Sequence, residues 1–263
     1  MIEVIKSKIA DLNDRDEKIN YLREFIQILI LKILSDKKIF YKIAFLGGTA
    51  LRIIYGLNRY SEDLDFSLYK KDGYDFKNML QELKKELILY NLKVEMTYKE
   101  GIVDSSFVSF TDTLQKLHLN VSKDQRLSVK LEIDTNPPQG EGFEQKIINN
   151  YFIFPVICYD LPSLMAGKLH SVLFRKFVKG RDYYDLIWYL TREINPNIIV
   201  LNNAIKQTEK VSVGLTENNW KIYLLNRLEK IEFDKVKKDL ANFLIRREEL
   251  DIINLETIKN LLT

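Results

Sequence analysis

The spacing of the apolar residues changes character once along this 263-residue chain, close to residue 160. Before that point, short segments with alternating apolar residues, which predict β-strands, are interspersed with segments of helical spacing. After Pro162 the remaining segments have helical spacing and no strand pattern is evident. This change predicts two domains, a mixed α/β domain over residues 1–160 that begins with helices, and a helical bundle over residues 161–263. The predicted strands are 43–46, 63–68, 92–98, 107–110, 117–121, 127–134 and 151–158.

Composition excludes several classes of protein. Cys158 is the only cysteine, so no internal disulfide can form, and two histidines make a His-rich zinc site improbable. The first 20 residues are charged throughout and lack the apolar core of a signal peptide. The longest apolar stretch, residues 25–34, falls short of the ~20 residues that a membrane helix needs. We therefore expect a cytoplasmic protein without a membrane partner.

Two adjacent glycines separate a short apolar strand from a predicted helix. Gly47 and Gly48 follow the strand 43–46, and the helix begins at Thr49. A glycine pair permits backbone conformations that other residues avoid, and a helix that begins there points free N–H groups at the turn. The turn is therefore a candidate phosphate site to which the Thr49 hydroxyl adds a donor, although such turns more often serve only as tight connections.

Two aspartates lie on one face of the next predicted strand. In Asp63-Leu-Asp-Phe-Ser-Leu68 the apolar side chains alternate with Asp63 and Asp65, which project together about 7 Å apart. Two carboxylates so close favour a cation between them, and Mg²⁺ prefers carboxylate and phosphate oxygens. The competing interpretation is a half-solvated strand with its polar residues outward.

A second alternating strand supplies a third acid. Over residues 127–134 the side chains of Lys130, Glu132 and Asp134 share the polar face. If this strand pairs with the strand of Asp65, either Glu132 or Asp134 completes a three-carboxylate cluster. Such a cluster can hold two metal ions for phosphoryl or nucleotidyl transfer.

The helical half carries further charged residues at helical spacing. Lys168 and Arg175 share one predicted helix face, and Asp182 and Asp185 share another. Taken alone, Lys168 and Arg175 are best interpreted as surface charges. A stabilising first-turn role for Asp182 competes with a functional role for the two acids.

These motifs, taken in order, resemble a known family. The string FLGGTALRIIYG…RYSEDLDFSL is similar to the AbiEii/MenT branch of the polymerase-β-like nucleotidyltransferase superfamily, the toxins of type IV abortive-infection and toxin–antitoxin systems. Four features of the branch, spread over residues 45–190, have matches here: the Arg-x-Ser-x-Asp-x-Asp run at Arg59, Ser61, Asp63 and Asp65; a lysine-bearing strand at Lys130 and Glu132; a helical lysine at Lys168; and Arg-Asp-x-x-Asp at Arg181, Asp182 and Asp185.

The resemblance implies a fold and an activity. The expected fold is α+β, with a mixed β-sheet flanked by helices in a polymerase-β-like nucleotidyltransferase domain, followed by a helical bundle. The expected activity is Mg²⁺-dependent transfer of a nucleoside monophosphate from an NTP to an acceptor hydroxyl, with two ions and release of pyrophosphate. RNA, typically a tRNA 3′ end, is the implied acceptor, and a cognate antitoxin encoded nearby is the implied protein partner.

The resemblance also implies residue roles. The expected catalytic residues are Asp63, Asp65, Glu132, Lys168, Asp182 and Asp185, and the expected metal ligands are Asp63, Asp65 and Glu132. The expected nucleotide-binding residues are Gly47, Gly48, Thr49, Arg59, Ser61, Lys130 and Lys168. The choice between Asp182 and Asp185 stays open, as do two other functions: a nucleotidyltransferase acting on small molecules such as antibiotics, and an inactive nucleotide- or partner-binding protein.

Overall fold

The computed structural model describes residues 2–119, 122 and 125–262. The chain divides into two compact units. The first comprises Met1–Ile54, Ser61–Asn136 and Gln145–Cys158, and the second comprises Tyr55–Tyr60, Pro137–Glu144 and Tyr159–Thr263. Two short segments that precede residue 145 therefore belong to the second unit. The domain limits expected from sequence, 1–160 and 161–263, stay a prediction.

The first unit is built around a β-sheet whose described strands number seven. The strands are β1 (Ile43–Leu46), β2 (Leu64–Leu68), β3 (Val94–Lys99), β4 (Val103–Phe110), β5 (Leu127–Asp134), β6 (Phe143–Asn149) and β7 (Ile153–Tyr159). Their order across the sheet is β3-β4-β5-β2-β1-β7-β6. β2 runs parallel to β5 and β1 parallel to β7, whereas β1–β2, β3–β4 and β4–β5 are antiparallel. The sheet is therefore mixed, as expected.

Helices cover one face of this sheet. They are α1 (Ile2–Ile9), α2 (Arg15–Asp36), α3 (Gly47–Tyr55), α4 (Phe76–Leu89) and the short α5 (Thr113–Lys116). The side chains of Asp14 and Asp75 cap α2 and α4 by accepting hydrogen bonds from the backbone N–H groups of Glu17 and Asn78. The alternating apolar residues of β2 and β5 join these helices in one core, with Leu64 and Leu131 fully buried. The intervening polar residues consequently lie on the other face of the sheet.

One sequence expectation about strands is wrong, and one strand was not predicted. Residues 117–119 are not a strand: Leu117 ends α5 and His118 has a φ of 56°, which an extended strand does not tolerate. Residues 120 and 121 of that prediction lie outside the described residues. The edge strand β6 was not expected, because most of its residues are exposed or half-buried and its sequence is weakly apolar.

The second unit contains helices α6 (Leu161–Phe174), α7 (Gly180–Leu190), α8 (Ile198–Glu209), α9 (Trp220–Leu228), α10 (Phe233–Leu240) and α11 (Leu255–Leu262). The Asp160 carboxylate caps α6 by accepting a hydrogen bond from the Ser163 N–H. α7 is its central helix: it contacts α6, α10 and α11 and is buried at nearly every position. Acidic residues on α7 are therefore removed from water. Within the described residues, no helix is both long enough and apolar enough to cross a bilayer.

Candidate active site

The paired glycines of the first unit lie directly against Asp65. α3 begins at Gly47, with no intervening residue after β1, and Gly47 has a φ of 81° in the left-handed region. A Cβ atom placed on Gly47 would collide with the Asp65 Oδ2 atom and lie 3.1 Å from its Cβ atom. Glycine is therefore required here by both conformation and space, and the Asp65 carboxylate is packed at the turn from which α3 begins.

Thr49 ties the start of α3 to the chain that enters β2. Its hydroxyl donates a hydrogen bond to the Asp63 carbonyl oxygen, and its side chain is fully buried. A buried hydroxyl with this partner is not directed at a ligand. In this structure Thr49 therefore fixes the position of Asp63 relative to the glycine turn, and its hydroxyl does not face the expected nucleotide.

The strand register places Asp65 beside Glu132. Leu46 of β1, Asp65 of β2, Glu132 of β5 and Ser105 of β4 form one row across the sheet. Neighbouring strands lie about 4.8 Å apart, so the Asp65 and Glu132 side chains emerge side by side on the polar face. Asp134 instead pairs with Ser67. Of the two acids left open by the sequence, the register favours Glu132.

Glu132 is engaged by a lysine of its own strand. The Lys130 Nζ lies 2.7 Å from Glu132 Oε1, and this hydrogen bond raises the pKa of Lys130 above its usual value. The nearby carboxylates of Asp63 and Asp65 raise it further. Lys130 therefore stays protonated and partly neutralises the acidic row.

The expected three-carboxylate metal cluster is not assembled by these side chains. Across the part of the chain that the structure describes, no three His, Cys, Asp or Glu side chains are arranged to hold a metal ion. The physical reason at this site is that Glu132 turns to Lys130. The chemistry of the donors nevertheless fits Mg²⁺, because Asp63 and Asp65 have carboxylate oxygens on one face and the absent Cβ of Gly47 lets the Asp65 carboxylate lie against the glycine turn.

A second cluster of charges lies within the second unit, on α6 and α7. The Lys168 Nζ lies 2.7 Å from Asp182 Oδ1 and 2.8 Å from Asp185 Oδ2. The Arg59 Nε and Nη2 atoms each donate to Asp185 at 2.6 Å, and Arg175 Nη1 lies 3.0 Å from Asp182 Oδ2. Asp182 and Asp185 reach these partners together because they are one helical turn apart.

Burial makes this cluster electrostatically strong. Arg59 is 2% exposed and Asp185 is fully buried, whereas Lys168 and Arg175 retain some exposure. Burial alone would disfavour both charged forms, but Arg59 and Lys168 hold the pKa of Asp185 below its usual value. Likewise, despite its burial, Lys168 has a raised pKa because of Asp185 and Asp182. Both groups are therefore ionised near neutral pH.

The cluster has more positive than negative charge. Among the described residues, Lys168, Arg59 and Arg175 form their ion pairs with two carboxylates, those of Asp182 and Asp185. The pKa of Lys179 is lowered by burial and then by the cations Arg181 and Arg175, as expected in the positive field of this cluster. An anion is the ligand that such a field attracts.

Two residues expected at the site from sequence have other partners, and a third that the sequence left open joins the Lys168 cluster. Arg59 is not placed as a nucleotide contact, because its guanidinium is buried, donates twice to Asp185 and donates once more to the Tyr60 carbonyl oxygen. Ser61 lies in the first unit, where its carbonyl oxygen accepts a hydrogen bond from Gln27 Nε2. Arg175, left open by the sequence, joins the Lys168 cluster through Asp182.

The family of the chain follows from a sequence comparison. Residues 29–257 match the profile described as "Nucleotidyl transferase AbiEii toxin, Type IV TA system". The chain belongs to the AbiEii family. It is thus a nucleotidyltransferase toxin of a type IV toxin–antitoxin system, as the motifs indicated. No curated protein sequence matches it.

Solved structures support the fold of this AbiEii protein. It is similar to JHP933 from Helicobacter pylori, with 20% identity and a TM-score of 0.53, over 92% of this chain and 88% of that one. It is also similar to a candidate nucleotidyltransferase from H. pylori, with 21% identity and a TM-score of 0.54, over 91% of this chain and 89% of that one. The predicted α+β nucleotidyltransferase fold is confirmed.

Proposed function

We propose that this AbiEii protein transfers a nucleoside monophosphate from an NTP to a hydroxyl of RNA, such as a tRNA 3′ end, in a reaction that depends on Mg²⁺. The observation that carries the proposal is the packing of Asp65 against the Gly47 turn and beside Glu132. Modification of this RNA would stop translation in the cytoplasm, and a separate antitoxin protein would relieve it.

The first unit would bind the donor nucleotide and the metal. The backbone N–H groups at Gly47 and Gly48 begin a helix, which favours the triphosphate at this turn. Asp63, Asp65 and Glu132 would hold two Mg²⁺ ions, which supply charge neutralisation and a lowered pKa for the attacking hydroxyl. Lys130, now held by Glu132, would contact the nucleotide, and Ser61 would position the chain before Asp63.

The bond changes in this reaction are simple. The acceptor oxygen forms a bond to the α-phosphorus of the NTP as the bond from that phosphorus to the bridging oxygen breaks. The hydroxyl proton passes to a basic oxygen of the acidic row, and pyrophosphate leaves. The attacking and leaving oxygens must lie on opposite sides of the phosphorus.

The second unit carries a candidate phosphate-binding cation of its own. Lys168 is proposed to bind a phosphate, because it is protonated and retains some exposure within a cluster of excess positive charge. Asp182 and Asp185 are then positioning residues that hold the ammonium group of Lys168. Arg59 acts one step further away by fixing Asp185.

The test of the proposal is transfer of label from each of the four NTPs to total RNA in the presence of Mg²⁺. Asp65→Asn removes the charge but almost no volume, so it is expected to abolish transfer while thermal unfolding stays close to that of the wild type. Asp16→Asn, at an exposed carboxylate of the same unit, is the matched control and should keep full activity.

Each outcome has a defined meaning. Full activity of Asp65→Asn would refute the metal assignment. Label on a small acceptor but never on RNA would replace the RNA acceptor with the small-molecule activity. NTP binding without transfer to any acceptor would indicate a binding protein that has lost turnover.

A further inference from the structure

An aromatic ring is exposed in the middle of the polar face of the sheet. Phe107 of β4 is 49% exposed, whereas Ser106 and Val108 beside it are buried on the helix-covered face. A ring in this position gains little from burial, so its presence is not explained by the core. The proposed transfer chemistry gives it no role either.

The register connects Phe107 to the acidic row. Phe107 pairs with Lys130 of β5, and the Lys130 Nζ lies 5.9 Å from the centre of the phenyl ring. Leu64 pairs with Leu131, so Asp63 follows Lys130 in the same row. With strands about 4.8 Å apart, the backbones at Phe107 and Asp63 are separated by roughly 10 Å.

Small hydroxyl side chains surround the ring. Ser105 and Ser109 lie two residues to either side of Phe107 on β4, and Thr97 is its register partner on β3. The Ser109 and Ser128 hydroxyls are 2.9 Å apart and hydrogen-bonded. These residues leave the ring accessible and offer donors and acceptors to a polar ligand. Lys99, exposed in the row of Ser105 and Glu132, adds a positive charge.

The order of the strands indicates which substrate reaches this face. The glycine turn follows β1, the acids lie on β2 and β5, and Phe107 lies on β4, in the order β4-β5-β2-β1. In-line displacement requires the attacking hydroxyl to approach from the side opposite the departing pyrophosphate. If the triphosphate lies at the glycine turn, the acceptor approaches from the side of β5 and β4.

We propose that Phe107 is the stacking platform for an unpaired base at the 3′ end of the acceptor RNA, with Lys99 contacting an adjoining phosphate. This proposal rests on the proposed nucleotidyltransferase function and names the acceptor subsite within it. Aromatic stacking with flanking cations is the usual way in which proteins bind single strands without sequence readout. The base of the NTP is the alternative occupant that the test must separate.

The test measures binding rather than transfer. The probe is a 5′-fluorescein single-stranded RNA of about 12 nucleotides with a free 3′ hydroxyl, followed by fluorescence anisotropy. Loss of one stacking contact should raise the Kd of Phe107→Ala by roughly 5- to 100-fold. Phe107→Trp should restore binding, because it keeps an aromatic face. The Kd for NTP, measured separately, should be unchanged.

Tyr98 provides a matched control. It is 46% exposed on the neighbouring strand β3, but it faces the opposite side of the sheet and contacts the Phe76 ring. Tyr98→Ala should therefore leave the Kd for RNA within about twofold of the wild type. Phe107→Ala should not change the Kd for blunt duplex RNA, because that RNA has no unpaired end.

The proposal is overturned if Phe107→Ala binds the RNA as tightly as the wild type does, if Tyr98→Ala weakens binding equally, or if the wild type binds no RNA. Weaker NTP binding by Phe107→Ala would assign the ring to the donor base instead. Asp65→Asn separates the two proposals: it should lose transfer but still bind RNA in a Phe107-dependent manner.

Discussion

The buried ion pair between Arg59 and Asp185 allows a quantitative prediction about the stability of the second unit. Asp185 accepts hydrogen bonds from two guanidinium nitrogens of Arg59, each at 2.6 Å, and neither residue has appreciable contact with water. Asp185→Asn would leave the guanidinium of Arg59 buried without the carboxylate that now accepts its two hydrogen bonds. Lys168 would keep Asp182 as a partner, so the loss falls mainly on Arg59.

The expected magnitude comes from this burial. Removing one member of a buried pair costs about 3–5 kcal/mol of unfolding free energy, because the remaining charge is uncompensated. Replacing both members with apolar residues of similar size is often close to neutral. We therefore expect Asp185→Asn to destabilise the second unit by about 3–5 kcal/mol, and the double variant Arg59→Met/Asp185→Leu to recover most of this loss.

Tryptophan fluorescence makes the measurement specific to the second unit. The chain has two tryptophans, Trp188 on α7 and Trp220 on α9, and both are buried in that unit. Urea unfolding followed by their emission reports the unit directly. Glu232→Gln is the control, since Glu232 forms a pair with Lys235 at a comparable 2.8 Å but on the surface, where no measurable change is expected.

Two results would contradict this reasoning. The first is a loss below about 1 kcal/mol for Asp185→Asn, which would mean that water reaches the guanidinium in solution. The second is a double variant as unstable as the sum of its single variants. Additive losses would show that Arg59 and Asp185 do not act as a pair.

Two further predictions follow from the same structure. Because the pKa of Asp185 is lowered in the folded state, its contribution is present above about pH 4 and is lost as the pH falls through the folded-state pKa. We therefore expect the wild type to lose stability relative to Arg59→Met/Asp185→Leu as the pH falls. Urea unfolding of both proteins from pH 6 down to about pH 3 measures this difference. A difference that stays constant over this range would show that Asp185 is not ionised in the pair. Gly47→Ala should lower the thermal stability and abolish transfer, since it adds a collision with Asp65 to the left-handed strain. Gly56 has a φ of 72° but open space around it, so Gly56→Ala adds only the backbone strain. If circular dichroism melts show the same loss of thermal stability for Gly47→Ala and Gly56→Ala, the close approach of Gly47 to Asp65 is refuted.

Local patterns in the sequence were sufficient to predict most of the elements that frame the site. The alternation of residues 127–134 placed Lys130 and Glu132 on the polar face of β5, as observed. The capping of α4 by Asp75 is equally local, because a cap depends on residues only three positions apart. The family followed from several short motifs in a fixed order, each readable without knowledge of the fold.

Sequence reasoning did not find three features of the structure. Arg59 was assigned to the nucleotide because its motif neighbours are Asp63 and Asp65, whereas its partner Asp185 is 126 residues away. The hydroxyl of Thr49 was read as a free donor, but it is used by the Asp63 carbonyl oxygen. The edge strand β6 lacks a buried face and therefore lacks the apolar alternation that reveals strands.

The sequence alone thus determined the types of most elements, the polar faces of β2 and β5 and the identity of the family. These depend on spacings of two to four residues, which the backbone geometry converts directly into a shared face. Tertiary structure alone decided that Glu132 rather than Asp134 lies beside Asp65, that Phe107 belongs to the row of Lys130, and that Arg59 is buried against Asp185. Strand register and buried ion pairs join residues that are far apart in the chain. Neighbouring residues in the sequence therefore do not indicate which distant residue a side chain will contact.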